Sequence, residues 1–66
     1  MNRIERSDMN KAISVSAIDP ILAARILAPA IRAAGTSKTW TELMNAAITH
    51  GIAKHFTMVN GQPVAN

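Results

Sequence analysis

Apolar and polar residues alternate over residues 12–17, and this pattern predicts a short β-strand. Ile13 and Val15 would lie on one side of the strand, and Ser14 and Ser16 on the other. β-Branched side chains suit a buried strand face, and serines suit an exposed one. Because one short strand cannot form a sheet alone, the pattern predicts a partner strand. The nearest candidate is the same segment of a second copy.

The next segment is apolar and has helix-capping residues at both ends, which predicts a helix over residues 20–34. Asp19 suits the N-cap, Pro20 suits the first helical position, and Gly35 suits the position after the end. Pro29 inside this helix either kinks or splits it, and the apolar pattern on both sides favours a kink. The helix carries only two charged residues, so we expect a second subunit to cover it in an intertwined dimer.

A second helix is predicted over residues 40–56, after a polar turn. Thr39 and Glu42 have the spacing of a capping box, in which the two side chains satisfy backbone amides reciprocally. The apolar positions of this helix recur at helical spacing and form one face, made of Leu43, Met44, Ala47, Ile48 and Ile52.

The segments that flank this domain, which spans residues 10–56, lack a clear period. Residues 1–9 are polar, so we expect a flexible arm. Residues 57–66 contain Asn60-Gly61 and Pro63, so we expect a turn followed by a loose tail.

Composition and charge restrict the function more than the fold. The chain has 66 residues, of which 48% are apolar, and no cysteine, which indicates one small domain without disulfides. Residues 20–66 carry the whole net charge of +3, which favours an anionic partner. His50 and His55 have poor spacing for a metal, and no paired carboxylates or glycine-rich phosphate loop are present. We therefore expect no metal, no cofactor and no enzymatic activity.

Three stretches resemble the ribbon-helix-helix family of DNA-binding proteins, the group of the Arc and MetJ repressors. Residues 12–17 are similar to the family's alternating ribbon, and residues 19–22 with Ile26 are similar to its first helix. Residues 39–48 match its pattern of two hydroxyl residues, a glutamate, two apolar residues and an alanine-aliphatic pair. The resemblance covers residues 10–56. It implies a mainly α-helical fold with one short strand, in which two subunits form an intermolecular two-stranded antiparallel β-ribbon.

The resemblance also implies a set of site residues. Ribbon side chains would read base edges in the major groove, at positions Asn10, Ala12, Ser14 and Ser16. The start of the second helix, together with basic residues of the arm, would contact the DNA backbone through Arg3, Arg6, Lys11, Ser37, Lys38, Thr39, Trp40 and Thr41. Trp40 alternatively packs beneath the helix start. The dimer core would comprise Ile13, Val15, Leu22, Ile26, Leu43, Ala47, Ile48 and Ile52.

The function expected from these observations is sequence-specific binding of duplex DNA by a homodimer that acts as a small transcriptional repressor. No secretory signal and no apolar run of bilayer length is visible, so we expect a cytoplasmic protein without a membrane partner. One alternative is a small all-helical interaction or inhibitor protein, of phage or plasmid type, that docks on a host protein. A relaxosome accessory protein or an antitoxin-type DNA binder is a further alternative.

Overall fold

Three helices followed by a β-hairpin make up the chain. The computed structural model describes all residues, 1–66. The elements in chain order are α1 (Arg3–Ser16), α2 (Pro20–Ala34), α3 (Lys38–Thr49), a single 3₁₀ turn (Ala53–His55), β1 (Phe56–Val59) and β2 (Gln62–Ala65). The ribbon-helix-helix fold prediction is therefore wrong, since residues 3–16, which include most of its predicted arm and strand, form one helix.

Helix α1 occupies the residues for which an arm and a strand were expected. Its N-cap is Asn2, whose side chain accepts a hydrogen bond from the Glu5 amide at 2.8 Å. The Glu5 carboxylate in turn accepts one from the Asn2 amide at 2.7 Å. This capping box satisfies two backbone amides at the helix start. It explains why residues 3–9 are helical although they carry no strong apolar period.

The strand prediction failed because six alternating residues also fit one and a half turns of helix. Ala12 is fully buried in the core, and Met9, one turn earlier, packs against the same core. The Ser16 hydroxyl, expected to face DNA, donates to the carbonyl of Ile13 at 2.7 Å within the helix. The burial of Ala12 against the other helices outweighs the strand preference of its β-branched neighbours.

Helix α2 covers the residues that the sequence indicated, from Pro20 to Ala34. The Asp19 side chain accepts from the Leu22 amide at 3.1 Å, and Gly35 follows the last turn with φ of 65°. Pro29 lies inside this one continuous helix, with its ring exposed to solvent. On the exposed side, water can satisfy the carbonyl that proline leaves without an amide partner.

Helix α3 begins earlier than expected, and the predicted capping box is absent. Its N-cap is Ser37, whose hydroxyl donates backwards to the Ala34 carbonyl at 2.8 Å and makes no cap to the helix. Thr39 is consequently the second residue of the helix, and Glu42 lies beyond the first turn. The Trp40 amide donates to the Ser37 carbonyl at 3.0 Å. No side chain caps the amides before it in the first turn of α3, which leaves those open to solvent or to an anion.

Helix α3 also ends earlier than the predicted boundary at Phe56. Gly51 has φ of 71°, a conformation that glycine adopts without steric cost. Its amide donates to the Ile48 carbonyl at 3.3 Å, and the Ile52 amide donates to the Ala47 carbonyl at 2.8 Å. These two bonds form a Schellman motif, and the buried side chains of Ile52 and Ala47 belong to one apolar cluster. The motif ends the helix and turns the chain towards β1.

Strands β1 and β2 form an antiparallel hairpin where a loose tail was expected. Phe56 pairs with Ala65, and Val59 pairs with Gln62 next to the turn. The two turn residues, Asn60 and Gly61, have φ of 52° and 78°. Positive φ at both positions is the type I′ turn that joins two-residue hairpins, and Asn-Gly is its preferred sequence. The strand pairing is thus contained within one chain.

The core is small and lies between α1, α2, α3 and the hairpin. Its largest fully buried side chains are those of Leu27, Ile31, Leu43, Ile52 and Pro63. Buried alanines at positions 12, 23, 24, 28 and 47 allow the helices to approach closely. Helix α2 makes its largest contacts with α1 and then with β2. Elements of the same chain therefore cover one side of the apolar helix for which a second subunit was expected, while Ile21 and Leu22 on its other side are exposed.

The residues predicted to form a dimer core have three different environments in the single chain. Leu43, Ala47 and Ile52 are fully buried. Ile13, Val15 and Ile26 are half-buried. Leu22 and Ile48 are exposed, at 43% and 63%. Most of this set contributes to the fold of one subunit, and only the last two leave an apolar surface uncovered.

Candidate nucleic-acid interface

Helices α2 and α3 are joined by only three residues, Gly35–Ser37, and α3 then presents one polar stripe to solvent. The opposite side of α3 holds Leu43 and Ala47 in the core, with Trp40 and Met44 packed against it. The exposed residues recur at helical spacing and define what we call the α3 stripe: Lys38, Thr41, Asn45, Ile48 and Thr49. A short glycine-containing turn between two helices is one feature that helix-turn-helix motifs also have.

Side-chain hydrogen bonds attach the hairpin to the N-terminal half of α3 and to the C-terminal end of α2. The indole Nε1 of Trp40 donates to Oε1 of Gln62 at 2.8 Å. The guanidinium of Arg32, near the end of α2, donates to the Pro63 carbonyl at 2.9 Å. Both bonds join residues more than twenty positions apart in the chain, so they place the hairpin beside the α2–α3 connection. Trp40 therefore packs beneath the helix start, one of the two roles left open by the sequence.

An open groove separates the hairpin tip from the α2–α3 turn. It has a volume of about 360 Å³ and is lined by Gly35, Thr36, Trp40, Asn60, Gly61 and Gln62. Five of the six are polar or glycine, so hydroxyl, amide and backbone groups face the groove. The N-terminal end of α3 and the tip of the hairpin thus lie on two sides of one polar surface.

The basic side chains of residues 20–66 differ in the contacts that they make within the chain. Lys38 is exposed at the first position of α3. Arg32 uses one of its five N–H donors for the Pro63 carbonyl. The aliphatic end of Lys54 lies beside Gly51, just after α3, where a cation interacts favourably with the C-terminal carbonyls. Lys38 is thus the cation placed at the helix end that carries the open amides.

The predicted DNA-contacting residues fall into two separate groups. Ser37, Lys38, Thr39, Trp40 and Thr41 lie together at the start of α3. Arg3, Arg6 and Lys11 are exposed on α1 and belong to a helix instead of an arm.

The predicted base-reading residues all lie on α1. Asn10 and Ser14 are exposed, Ser16 is half-buried, and Ala12 is fully buried. They do not form a ribbon, and Ala12 has no surface with which to contact a base. The ribbon assignment for these four residues is therefore wrong.

Sequence reasoning missed Asn45 and Asn60, which lie on the α3 stripe and at the hairpin tip. The Asn60-Gly61 pair is a strong hairpin signal that was interpreted only as a turn. A hairpin placed directly after a second helix would have indicated the same surface.

Other features of the structure do not form a second site. None of the buried residues is polar or charged. No three side chains of histidine, cysteine, aspartate or glutamate lie close enough together to hold a metal ion. A shallow depression on α1 is lined by Arg3, Ile4, Ser7 and Asp8. None of the helices combines the length and the apolar character needed to cross a bilayer.

Comparison of the chain with protein-family models, with curated proteins and with solved structures found no match.

Proposed function

We propose that this protein binds duplex DNA in a sequence-specific manner, with α3 in the major groove and the hairpin tip on the adjoining backbone. The observation that carries the proposal is the α3 stripe, a free polar helix face that follows a three-residue connection and is flanked by a hairpin. An α-helix fits the major groove of B-DNA, and the N-terminal residues of a recognition helix contact base edges.

The side chains of the α3 stripe suit base recognition. Asn45 can bond bidentately to N6 and N7 of adenine, which contributes about 1–3 kcal/mol of discrimination against another base. Thr41, one turn earlier, offers a hydroxyl that donates or accepts and a methyl that fits the thymine methyl. Glu42 is half-buried at the edge of the stripe, where its carboxylate can accept from N4 of cytosine. These three side chains are within two turns of the helix start.

The position of the hairpin also supports binding of DNA at the α3 stripe. Its tip, Asn60-Gly61, lies across the groove from Gly35 and Thr36, which begin the connection to α3. With α3 in the major groove, the tip lies beside the flanking sugar-phosphate backbone, where Asn60 and backbone amides can donate to phosphate. The bonds from Trp40 and Arg32 hold the hairpin in place before DNA binds.

Electrostatic attraction to phosphate would be present but moderate. The net charge is +3, and Lys38 together with the open amides of the first turn of α3 forms the positive end of the site. Few phosphate contacts imply a shallow salt dependence, since each neutralised phosphate contributes about 0.9 to the slope of log K against log salt concentration. On this proposal, affinity depends on base contacts more than on charge.

A small DNA-binding domain without further catalytic machinery acts by occupying its site. We therefore propose a role in transcriptional repression, in the cytoplasm. Competition with polymerase for the same duplex would be the mechanism.

The test begins with selection of bound duplexes from a random pool, followed by fluorescence anisotropy on the selected site. Wild-type protein should prefer the selected duplex, and Asn45→Ala should weaken that preference about 5- to 150-fold, the equivalent of 1–3 kcal/mol. Ser14→Ala is the matched control, because Ser14 is an exposed polar residue on α1. Loss of preference in Ser14→Ala with none in Asn45→Ala, or no selectable duplex, would refute the proposal.

A further inference from the structure

The two edges of the hairpin differ in how far the rest of the chain covers them. Strand β2 lies against α2, and its Pro63 carbonyl accepts from the Arg32 guanidinium at 2.9 Å. Strand β1 makes its main contact with β2, and Thr57, Met58 and Val59 are all exposed. An uncovered strand edge presents backbone donors and acceptors to which another strand can pair. The outer edge of β1 is that edge.

Two observations fix which backbone groups of β1 face outwards. The Asn66 amide donates to the His55 carbonyl at 2.9 Å, and Pro63, which has no amide, is paired with Met58. Hydrogen-bonded and non-hydrogen-bonded pairs alternate along an antiparallel ladder, so the pairs that contain Phe56 and Met58 are the non-hydrogen-bonded ones. The amide and the carbonyl of Met58 therefore point away from β2.

The free donors and acceptors along this edge are arranged symmetrically around Met58. The Phe56 amide already donates to the Ala53 carbonyl, so Phe56 offers only its carbonyl. Met58 offers both of its backbone groups. The Asn60 amide has no acceptor within the chain, and it points outwards because the Val59 carbonyl in the same peptide plane faces β2. A free donor two residues after Met58 thus matches a free acceptor two residues before it.

We infer that two copies of the chain pair through the outer edges of β1, antiparallel about a two-fold axis at Met58. Each Met58 amide donates to the partner's Met58 carbonyl, and each Asn60 amide donates to the partner's Phe56 carbonyl. Thr57 then lies beside the partner's Val59 in a closely spaced pair. Met58 and Val59, each 49% exposed in the single chain, become covered. The product is a four-stranded sheet joined by four intermolecular hydrogen bonds.

The chemistry of the edge favours a second copy over an unrelated strand. A two-fold interface must be complementary to itself, and the order of donors and acceptors around Met58 meets that condition. Selection of a foreign strand depends on side-chain pockets, and neither surface depression is lined by a residue of β1. Residues 56–66 also carry no charged side chain that would select or repel a partner.

The same geometry limits the size and the strength of the assembly. Because α2 covers β2, pairing of the β1 edges stops at two copies. A short strand on each side buries less than the roughly 1,200 Å² of a typical stable interface, so we expect dissociation in the micromolar range or weaker. The pairing uses residues 56–60 and is distinct from the ribbon predicted for residues 12–17, which are mostly helical. It does not rest on the DNA-binding proposal and is tested without DNA.

Sedimentation equilibrium from micromolar to millimolar concentration, combined with amide hydrogen exchange, tests the inference directly. The mass should rise with concentration from 7.1 kDa towards twice that value. The Met58 and Asn60 amides should exchange rapidly in dilute protein and more slowly as concentration rises. The Thr57 and Val59 amides should be protected at every concentration, because they bond to β2. A chain that stays monomeric, or exchange at Met58 that is independent of concentration, would overturn the inference.

Met58→Pro removes the outward amide and leaves the bonds between β1 and β2 in place. Symmetry removes two of the four intermolecular bonds, so dimerisation should weaken about 5- to 150-fold. Met58→Leu is the matched control, because it keeps the amide and an apolar side chain, and it should dimerise like the wild type. Unchanged protection of the Thr57 and Val59 amides shows that the hairpin is intact. A dimer that Met58→Pro leaves unchanged would overturn the inference.

Charge variants at Met58 test the position of the axis without a change to the backbone. Met58→Lys or Met58→Glu alone places two like charges side by side and should weaken the dimer about 2- to 5-fold. An equimolar mixture of the two variants places opposite charges together, so association should recover. If the mixture associates no better than either variant alone, Met58 does not meet its copy and the proposed pairing is wrong.

Discussion

Ala12 distinguishes the observed fold from a ribbon more sharply than any other residue. It is fully buried between α1 and the other helices, whereas a ribbon would place it on an outward surface. Ala12→Leu adds three carbon atoms where no space exists. Overpacking of this kind costs about 1–3 kcal/mol.

The expected loss is a large part of the stability of this chain. At roughly 0.05–0.15 kcal/mol per residue, a domain of this size has about 3–10 kcal/mol in total. Each kcal/mol lost lowers the Tm by about 4–8 °C in a domain of this length. Ala12→Leu should therefore lower the Tm by at least several degrees. The substitution unfolds the chain if the wild-type free energy of unfolding is near about 3 kcal/mol.

Thermal and urea unfolding followed by circular dichroism measure the effect. Ser14→Leu is the matched control, since Ser14 lies on the same helix but is exposed. It should change stability by no more than about 0.5 kcal/mol. Equal stability of Ala12→Leu and wild type, or an equal loss in both variants, would refute the placement of α1.

Three further predictions test other parts of the account. Asn2→Ala removes the N-terminal capping box of α1 and should cost about 0.5–2 kcal/mol, with faster amide hydrogen exchange in the first turn; unchanged exchange would contradict the cap. Trp40→Phe removes the donor to Gln62 and should cost about 0.5–1.5 kcal/mol, with faster exchange in the hairpin than in α1. Lys38→Ala should lower the slope of log K against log salt concentration by about 0.9 for any duplex, while Lys11→Ala should leave it unchanged; equal slopes in all three proteins would exclude Lys38 from phosphate contact.

Helix α2 was predictable because its signals are local. Asp19 and Pro20 at one end and Gly35 at the other act through backbone geometry within a few residues, and no distant contact competes with them. Pro29 does not interrupt α2, because its ring lies on the exposed side of the helix.

Helix α1 and the hairpin were not predicted, and the reasons are physical. Over six residues, alternating polarity fits both a strand and a helix, and only the burial of Ala12 by distant residues decides between them. In the hairpin, Met58 and Val59 are exposed on opposite sides, so β1 shows no alternation. Its partner strand contains Pro63, which normally argues against a strand but is accepted here at an edge that receives the Arg32 guanidinium.

The candidate site was predicted in part. The start of α3 was identified, although from a capping box that does not form and two residues from the true N-cap. The sequence placed the base-reading residues on α1, whereas the surface proposed from the structure includes Asn45 and Asn60. The hairpin that carries Asn60 was interpreted as a loose tail. The error in fold therefore produced the error in site.

The central claim is that α3 and the hairpin tip contact duplex DNA. Titration of ¹⁵N-labelled protein with the selected duplex, followed by amide chemical shifts, tests it most directly. If α3 and the hairpin tip bind the duplex, the largest shifts should occur at Lys38, Thr41, Asn45 and Asn60. Shifts confined to Asn10 and Ser14 on α1, or no shifts at moderate salt, would contradict it.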